Sequence, residues 1–130
     1  MPIKIHSKDD FAKMRKSGEI AANILDYITP YVMPGTTTNQ LNDLCHNKIL
    51  EFNSIPAPLN YNGFPKSICT SVNHVVCHGI PSDKILNQGD IINIDVTIIY
   101  DGWHGDTSRM FYVGDVSVKA KKLVKTTYEC

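Results

Sequence analysis

The sequence predicts an α+β protein in which helices pack on antiparallel strand pairs. Amphipathic helical patterns occupy roughly the first fifty residues, and alternating apolar and polar residues dominate from about residue 68 to residue 113. A last helical pattern starts at Ser117, so the elements are ordered as helices, strands and a helix. A chain of 130 residues has the length of one domain, and we expect it to form one core.

The first helix has a clear start and a clear end. Ser7 precedes Asp10 by three positions, which is the spacing of a capping box, where each side chain accepts the other residue's backbone N–H. Apolar residues then recur every three to four positions until Pro30, which makes continuation of a helix costly. We therefore expect a helix over residues 8–29.

The second helix begins with the same signal and leads into a loop. Thr37 starts a second capping box, and the apolar stripe that follows predicts a helix over residues 38–52. Residues 53–65 contain three prolines, which predict irregular structure around Tyr61 and Phe64. Two aromatic side chains in such a loop need a surface against which to pack.

A tight hairpin is predicted around Asn73-His74. Short alternations of apolar and polar residues lie on both sides of this pair, over residues 68–72 and 75–78. A two-residue turn there would place Cys69 opposite His78. The hairpin would then hold this histidine on a sheet.

The Asp101-Gly102 pair is a second and stronger turn signal. It is typical of a type I′ hairpin and would join two strands of about ten residues each. In that register Asp106 faces Thr97 and is a diagonal neighbour of Asp95, within about 7–8 Å between Cα atoms. The other face of the first strand is apolar and is expected to supply the core: Ile92, Ile94, Val96 and Ile98.

Two carboxylates that converge on one face of a sheet require an explanation. Like charges on adjoining strands repel each other, and a bound divalent cation would remove that repulsion. Asp95 and Asp106 are therefore candidate metal ligands, with Thr97 and His104 nearby as supporting groups. The alternative is an ordinary solvent-facing strand pair that carries two surface aspartates.

His78 also has two interpretations. The Gly and the Pro that follow it could fix a turn that presents the imidazole to a cleft. A lone histidine can equally be structural. The same holds for Tyr61, Phe64 and Cys69, which as isolated residues are expected to be packing residues.

The charge balance argues against a protein that depends on bulk positive charge. Thirteen Lys and Arg offset thirteen Asp and Glu, so no net charge draws the chain to nucleic acid or to an anionic membrane. No apolar run is long enough to span a bilayer, and charges occupy the first ten residues, where a signal peptide needs an apolar centre. Four cysteines without C-x-x-C pairs suit reduced thiols, and we expect a cytoplasmic protein.

Three segments carry a specific resemblance to a known family. Their sequences, CHGIP, GDIINIDVT and GWHGDTSRMF, closely resemble those of type I methionine aminopeptidases. The likeness runs from the first helix to the end of the chain and includes YNGFPKS at residues 61–67. The eleven-residue separation of Asp95 and Asp106 also agrees with the first two metal ligands of that family. The three segments are Cys77–Pro81, Gly89–Thr97 and Gly102–Phe111.

The resemblance implies a pita-bread fold built from two pseudo-symmetric halves. Residues 1–130 would then be the N-terminal half of a single catalytic domain, and the C-terminal half would be absent from the sequence. Asp95 and Asp106 would bind two divalent ions, which could be manganese, iron, cobalt or zinc. The remaining ligands, a His and two Glu, would come from the other half.

The same resemblance implies an activity. The intact enzyme would remove the N-terminal methionine from nascent proteins and peptides through attack by a metal-bound hydroxide. His78 would be catalytic and would contact the substrate, while Tyr61, Phe64 and Cys69 would form the pocket for the methionine side chain. Peptides that begin with Met would be the substrates, and proximity to the ribosome follows from that role.

Three alternatives stay open. Pita-bread proteins also include peptidases that cleave X-Pro bonds and members that have lost metal ligands and act as binding proteins. The third alternative concerns this chain by itself. Its last helical pattern ends without a capping Gly or a terminating Pro, so we expect the chain to stop within an element. Such a fragment would bind metal without hydrolysing peptide.

Overall fold

The computed structural model describes residues 2–130, which leaves Met1, the first residue of the expected 1–130 unit, outside the description. Within these residues, three α-helices accompany a four-stranded antiparallel sheet, as the predicted α+β class requires. The helices are α1 (Lys8–Ile28), α2 (Thr38–Glu51) and α3 (Val118–Glu129). The strands are β1 (Ile55–Pro56), β2 (Cys69–Val72), β3 (Ile91–Tyr100) and β4 (Trp103–Tyr112).

Both predicted capping boxes are present, and they set the starts of α1 and α2. The hydroxyl of Ser7 accepts from Asp10 N–H at 3.2 Å, and the carboxylate of Asp10 accepts from Ser7 N–H at 2.9 Å. Thr37 and Gln40 make the same reciprocal pair. The two helices begin where the sequence predicts and each ends one residue earlier than predicted. Local capping chemistry therefore determines where these helices start.

The core lies between the helices and the apolar face of β3. The four predicted core residues of that face are fully buried: Ile92, Ile94, Val96 and Ile98. Ile24 and Leu25 of α1 belong to the same cluster. α1 also approaches β4 closely, because a Cβ at Gly105 would overlap the carbonyl oxygen of Ser17. Burial of each branched side chain contributes about 1.5–3 kcal/mol, so this layer holds α1 against the sheet.

β3 is the central strand of the sheet. It pairs with β4 along its whole length, and its other edge pairs with β2 and β1. The predicted Asp101-Gly102 turn is confirmed, because both residues have positive φ (48° and 79°) and Tyr100 pairs with Trp103. The polar face of this hairpin is therefore arranged in the predicted register.

The turn predicted at Asn73-His74 forms, because Val75 N–H donates to the carbonyl oxygen of Val72 at 3.1 Å, but the hairpin pairing predicted beyond it is wrong. On one edge of β2, Cys69 lies opposite Asp95 of β3, and on the other edge the backbone bond runs from Thr70 N–H to Gly79 and does not pair Cys69 with His78. Residues 75–78 lie outside any strand, and His78 belongs to a loop.

The hydrogen bonds of Asn73 fix the end of β2 on β3. Its backbone is left-handed, with φ 53°, and its N–H donates to the carbonyl oxygen of Ile91 at 2.9 Å. The side-chain oxygen of Asn73 accepts from Ile91 N–H at 3.1 Å. These bonds tie the end of β2 to the start of β3. Residues 75–78 bury little by comparison, since Val76 is 90% exposed, and they add no strand to the sheet.

The third helix forms where it is predicted, but it packs little. The hydroxyl of Ser117 accepts from Ala120 N–H at 3.1 Å and caps α3. None of the residues of α3 is buried. No helix between residues 2 and 130 has both the length and the apolar character that crossing a membrane requires.

Candidate active site

An open cavity of about 850 Å³ lies over the polar face of the sheet. Strands β2, β3 and β4 contribute side chains to it, together with the loops at residues 57–65 and 78–80. The structure brings all eight residues that the sequence analysis singled out to this one cavity. They are Tyr61, Phe64, Cys69, His78, Asp95, Thr97, His104 and Asp106.

Asp95 and Asp106 stand on adjacent strands of this face. Asp106 pairs with Thr97, as the turn predicts, and the Thr97 hydroxyl donates to Asp106 Oδ1 at 3.0 Å. Asp95 is half-buried between its two pairing partners, Ser108 on β4 and Cys69 on β2. The hairpin backbone sets the separation of the two carboxylates, and the Thr97 hydroxyl orients one of them.

The electrostatics of this pair favour a cation. The pKa of Asp95 is raised above its ordinary value, first by burial and then by the negative charge and close approach of Asp106. The imidazole of His78 lowers the pKa of Asp95 in part. A divalent ion would replace the repulsion between the carboxylates by attraction, and carboxylate oxygens are suitable donors for such an ion. The donor chemistry of this face therefore fits a divalent metal.

The two carboxylates form only part of a metal site. Across residues 2–130, no group of three or more His, Cys, Asp or Glu side chains is arranged to hold a metal ion. Ions such as manganese take about six donors in octahedral geometry. Asp95 and Asp106 must therefore be joined by other ligands before the coordination sphere is complete.

His78 reaches the cavity from a loop that lies across β2. Its φ is 54°, in the left-handed region that residues with a Cβ rarely adopt. The residue that follows, Gly79, accepts from Thr70 N–H at 2.8 Å and donates its own N–H to the hydroxyl of Ser71 at 3.1 Å. The imidazole is exposed and lines the same cavity as Asp95.

The aromatic residues of the cavity belong to the loop at residues 57–65. Tyr61 is 70% exposed, and Phe64 is half-buried. Asn60 and Asn62 have positive φ values of 67° and 48°, which let the loop turn sharply around Tyr61. The alternative that Tyr61 is a core packing residue is wrong, because most of its side chain lies open to solvent.

Hydrogen bonds to distant elements anchor both ends of this loop. Ala57 N–H donates to the carbonyl oxygen of Thr97 on β3 at 2.9 Å. At the other end, Ser67 N–H donates to Asn42 Oδ1 at 2.8 Å, and the Ser67 hydroxyl lies 2.7 Å from Nδ1 of His46. Asn42 and His46 belong to α2, so the loop is fastened between a helix and the sheet.

Cys69 is a buried thiol at the edge of the cavity. Burial is the largest cause that raises its pKa, to about 11, and the negative charge of Asp95 adds to the effect. The thiol is therefore neutral near pH 7. A neutral sulfur behaves as a small apolar group, which suits contact with another apolar side chain.

Sequence analysis missed six residues that line the cavity. Five of them belong to the loop at residues 57–65, whose Pro and Asn content predicted irregular structure but not that the loop would line the cavity. Proximity in the chain to Tyr61 or His78 is the signal that could have identified them. They are Ala57, Pro58, Asn62, Gly63, Pro65 and Ile80.

Comparisons with known sequences point to metallopeptidases. Residues 12–130 match the model of metallopeptidase family M24. The chain is 67% identical over 129 residues to a methionine aminopeptidase of Rickettsia prowazekii, a match that covers 99% of this chain and 50% of the relative. It is 50% identical over 131 residues to a methionine aminopeptidase of Escherichia coli K12, with 99% and 50% covered. The chain spans about half the length of these curated relatives.

Comparisons with solved structures agree. The crystal structure of the Rickettsia prowazekii methionine aminopeptidase superposes with a TM-score of 0.97 at 67% identity, covering 98% of this chain and 52% of that one. A prolidase from Pyrococcus furiosus reaches a TM-score of 0.79 at 21% identity, covering 96% and 36%, and is similar in fold alone. The expected pita-bread fold is confirmed, with about half of it formed by this chain. The chain is similar to the methionine aminopeptidase in both sequence and fold but to the prolidase in fold alone, so these comparisons do not favour the X-Pro alternative.

Proposed function

The chain belongs to metallopeptidase family M24, and from this premise we propose that it forms the N-terminal half of the catalytic domain of a methionine aminopeptidase. The proposed reaction removes the N-terminal methionine from nascent proteins and peptides. The observation that carries the proposal is the convergence of Asp95, Asp106 and His78 on one cavity, in a chain closely similar to methionine aminopeptidases.

We assign the metal to Asp95 and Asp106. Family membership implies divalent metal ions, and the proposed complete site holds two of them, with manganese, iron, cobalt or zinc as candidates. When bound, such ions supply a water molecule that loses its proton near neutral pH and positive charge that offsets a developing oxyanion. Thr97 keeps the carboxylate of Asp106 turned toward the cavity, with His104 on the same face of the sheet. The second half of the fold would supply the remaining ligands.

His78 and the loop at residues 57–65 are proposed to bind the peptide. The imidazole of His78 can donate a hydrogen bond to the first peptide bond and position it beside the metal-binding carboxylates. Tyr61, Phe64 and Cys69 offer two rings and a neutral thiol to the methionine side chain. Contacts between a thioether sulfur and an aromatic ring contribute about 0.3–1.5 kcal/mol each, which favours methionine over a side chain of similar size without sulfur.

The proposed substrate also suggests where the protein works. New polypeptides expose their N-terminal methionine as they leave the ribosome, so the proposed reaction takes place near it. All four cysteines are unpaired. Unpaired thiols suit a reducing compartment, and we propose the cytoplasm.

The test is release of free methionine from the peptide Met-Ala-Ser. The protein is purified in its full encoded length, loaded with manganese or cobalt, and compared with the Asp106→Ala variant and with residues 1–130 alone. We expect release that a chelator abolishes, and none from N-acetyl-Met-Ala-Ser, because an aminopeptidase requires a free N-terminus. Residues 1–130 alone are expected to be inactive, since Asp95 and Asp106 form only part of the site.

Other outcomes would favour the alternatives. Release of alanine from Ala-Pro-Ser, without methionine release from Met-Ala-Ser, would favour an X-Pro peptidase. Absence of both manganese binding and cleavage of either peptide would favour a binding protein that has lost metal ligands. Either result would contradict the proposed function.

A further inference from the structure

The loop that presents His78 is held against β2 by contacts that the proposed chemistry does not use. We propose that Ser71 is a positioning residue for His78, because its hydroxyl accepts the N–H of Gly79 and so holds the loop that carries the imidazole. The inference rests on the proposed function, since it concerns how the same site is assembled. It adds a residue that makes no contact with the cavity itself.

The place of Ser71 in β2 explains how it reaches the loop. Ser71 pairs with Asn93, and Cys69 pairs with Asp95, so all four side chains lie on the face of the sheet that carries the cavity. Ser71 is only 3% exposed, because the loop covers it. Its hydroxyl is thus held between the strand and the loop.

The backbone of the loop cannot move closer or turn without losing these contacts. A Cβ at Gly79 would overlap the carbonyl oxygen of Thr70, so the loop backbone lies directly against the strand. Gly79 is bonded on both sides, through its carbonyl oxygen to Thr70 N–H and through its N–H to Ser71. Among the hydrogen bonds of residues 2–130, the bond from Gly79 N–H to the Ser71 hydroxyl is the only one between the backbone of residues 77–80 and a side chain.

The conformation of His78 makes such a hold necessary. The left-handed region is unfavourable for most residues with a Cβ, and His78 has a φ of 54°, so contacts with its surroundings help to keep it there. The two bonds to Gly79 act on the next residue in the chain. Without the Ser71 hydroxyl, the backbone of His78 can relax toward the ordinary regions, and the imidazole moves away from Asp95.

The expected consequence is a loss of turnover without a loss of metal. Ser71→Ala leaves Asp95, Asp106 and the aromatic loop untouched, so the manganese affinity should stay within about twofold of the wild type, and KM should change less than kcat. A displaced imidazole should lower kcat by about 10- to 100-fold, because small misplacements of a catalytic group are costly. Ser71→Thr keeps the hydroxyl and should restore most of the activity.

Ser54→Ala is the matched control. Ser54 is also 3% exposed, and its hydroxyl donates to the carbonyl oxygen of Phe52 at 3.3 Å. The same chemical change therefore removes one hydrogen bond at equal burial, away from the cavity. A general loss of stability would affect both variants, whereas displacement of His78 would affect only Ser71→Ala.

The experiment measures amide hydrogen exchange at Gly79 by NMR, together with kcat, KM and manganese affinity, in the protein of full encoded length. The inference is supported if Ser71→Ala speeds amide exchange at Gly79 about tenfold and lowers kcat. Ser71→Thr should show exchange and kcat close to those of the wild type, and Ser54→Ala should change neither quantity. It is overturned if exchange at Gly79 is unchanged, or if it accelerates while an active enzyme keeps its kcat. A wild-type protein that releases no methionine contradicts the proposed function, and exchange at Gly79 then decides by itself whether Ser71 holds the loop.

Discussion

The β3–β4 hairpin and the two cavity loops, at residues 57–65 and 78–80, contribute to the same site by different means. In the hairpin, the Asp101-Gly102 turn sets every pairing, including that of Asp106 with Thr97. The loops follow no such local rule, and each depends on backbone bonds to another element, such as the bond from Thr70 to Gly79. The carboxylates are therefore held by regular secondary structure, and the imidazole and the aromatic rings are held by long-range contacts.

This difference suits the two tasks that we propose for the site. Metal ligands need a fixed separation, which adjacent strands provide. The imidazole and the aromatic rings that we propose to contact the peptide stand on loops, which can extend beyond the face of the sheet. Changes in the hairpin should therefore act on metal binding, and changes in the loops should act on turnover.

The largest effect is expected from Asp106→Ala. The change removes one of the two carboxylates from the face of the hairpin, so manganese affinity measured by calorimetry should fall by more than about 100-fold. Asp115→Ala, which removes an exposed carboxylate outside the cavity, is the control and should bind manganese as the wild type does. Unchanged affinity in Asp106→Ala would remove this residue from the ligand set.

The corresponding substitution in the loops is His78→Asn. Asn tolerates the left-handed backbone, so this variant removes the imidazole with little added strain. We expect kcat for methionine release to fall by about 100-fold or more, with manganese affinity retained. His74→Asn changes an exposed histidine outside the cavity and should keep its turnover. Equal kcat values for the two variants would end the catalytic assignment of His78.

Two glycine substitutions compare the packing of the His78 loop with the packing of helix α1. In the loop, Gly79→Ala forces a methyl group into the carbonyl oxygen of Thr70 and should lower the free energy of unfolding by about 1–3 kcal/mol. In α1, Gly18 has no heavy atom within 4 Å of an added Cβ, so Gly18→Ala should raise it by about 0.5–1 kcal/mol. Urea unfolding measures both values. A neutral Gly79→Ala would show that the loop can lift from β2.

The smallest effect concerns the pH dependence of the metal-free protein. Because the pKa of Asp95 is raised in the folded state, the unfolded chain loses this proton first as the pH rises. Asp95 therefore stabilises the fold at low pH, and this contribution is lost as the pH rises from the ordinary carboxyl value of 3.8 through the raised pKa.

Asp106→Asn removes the charge that is the second cause of the raised pKa of Asp95, while its side-chain oxygen can still accept from Thr97. The metal-free variant should be more stable than the wild type at pH 7 by about 0.2–1 kcal/mol, with little difference at pH 3. Urea unfolding at the two pH values measures the gain, and Asp115→Asn is the control. A variant that is less stable at pH 7 would show that the two carboxylates do not repel each other.

Much of the site could be predicted because it depends on neighbours in the chain. The capping boxes at Ser7 and Thr37 set the helix starts, and the Asp101-Gly102 turn set the strand register. Both signals act over two to four residues, where few conformations compete. The local turn signal at Asn73-His74 was also correct, but the pairing after it was not, because residues 75–78 form no strand and the chain returns to β2 through the bond from Thr70 N–H to Gly79.

The amino-acid sequence by itself determined that Asp95, Thr97 and Asp106 share one face of a hairpin, because strand alternation and turn chemistry are local. Only the tertiary structure decided that His78 stands over that face, since its loop is held by Thr70 and Ser71 of another strand. The same is true of the aromatic loop, which is fastened between α2 and β3. Contacts between segments far apart in the chain produce no periodic pattern in the sequence. The path of these loops therefore cannot be predicted from local signals and is set by the elements against which they pack.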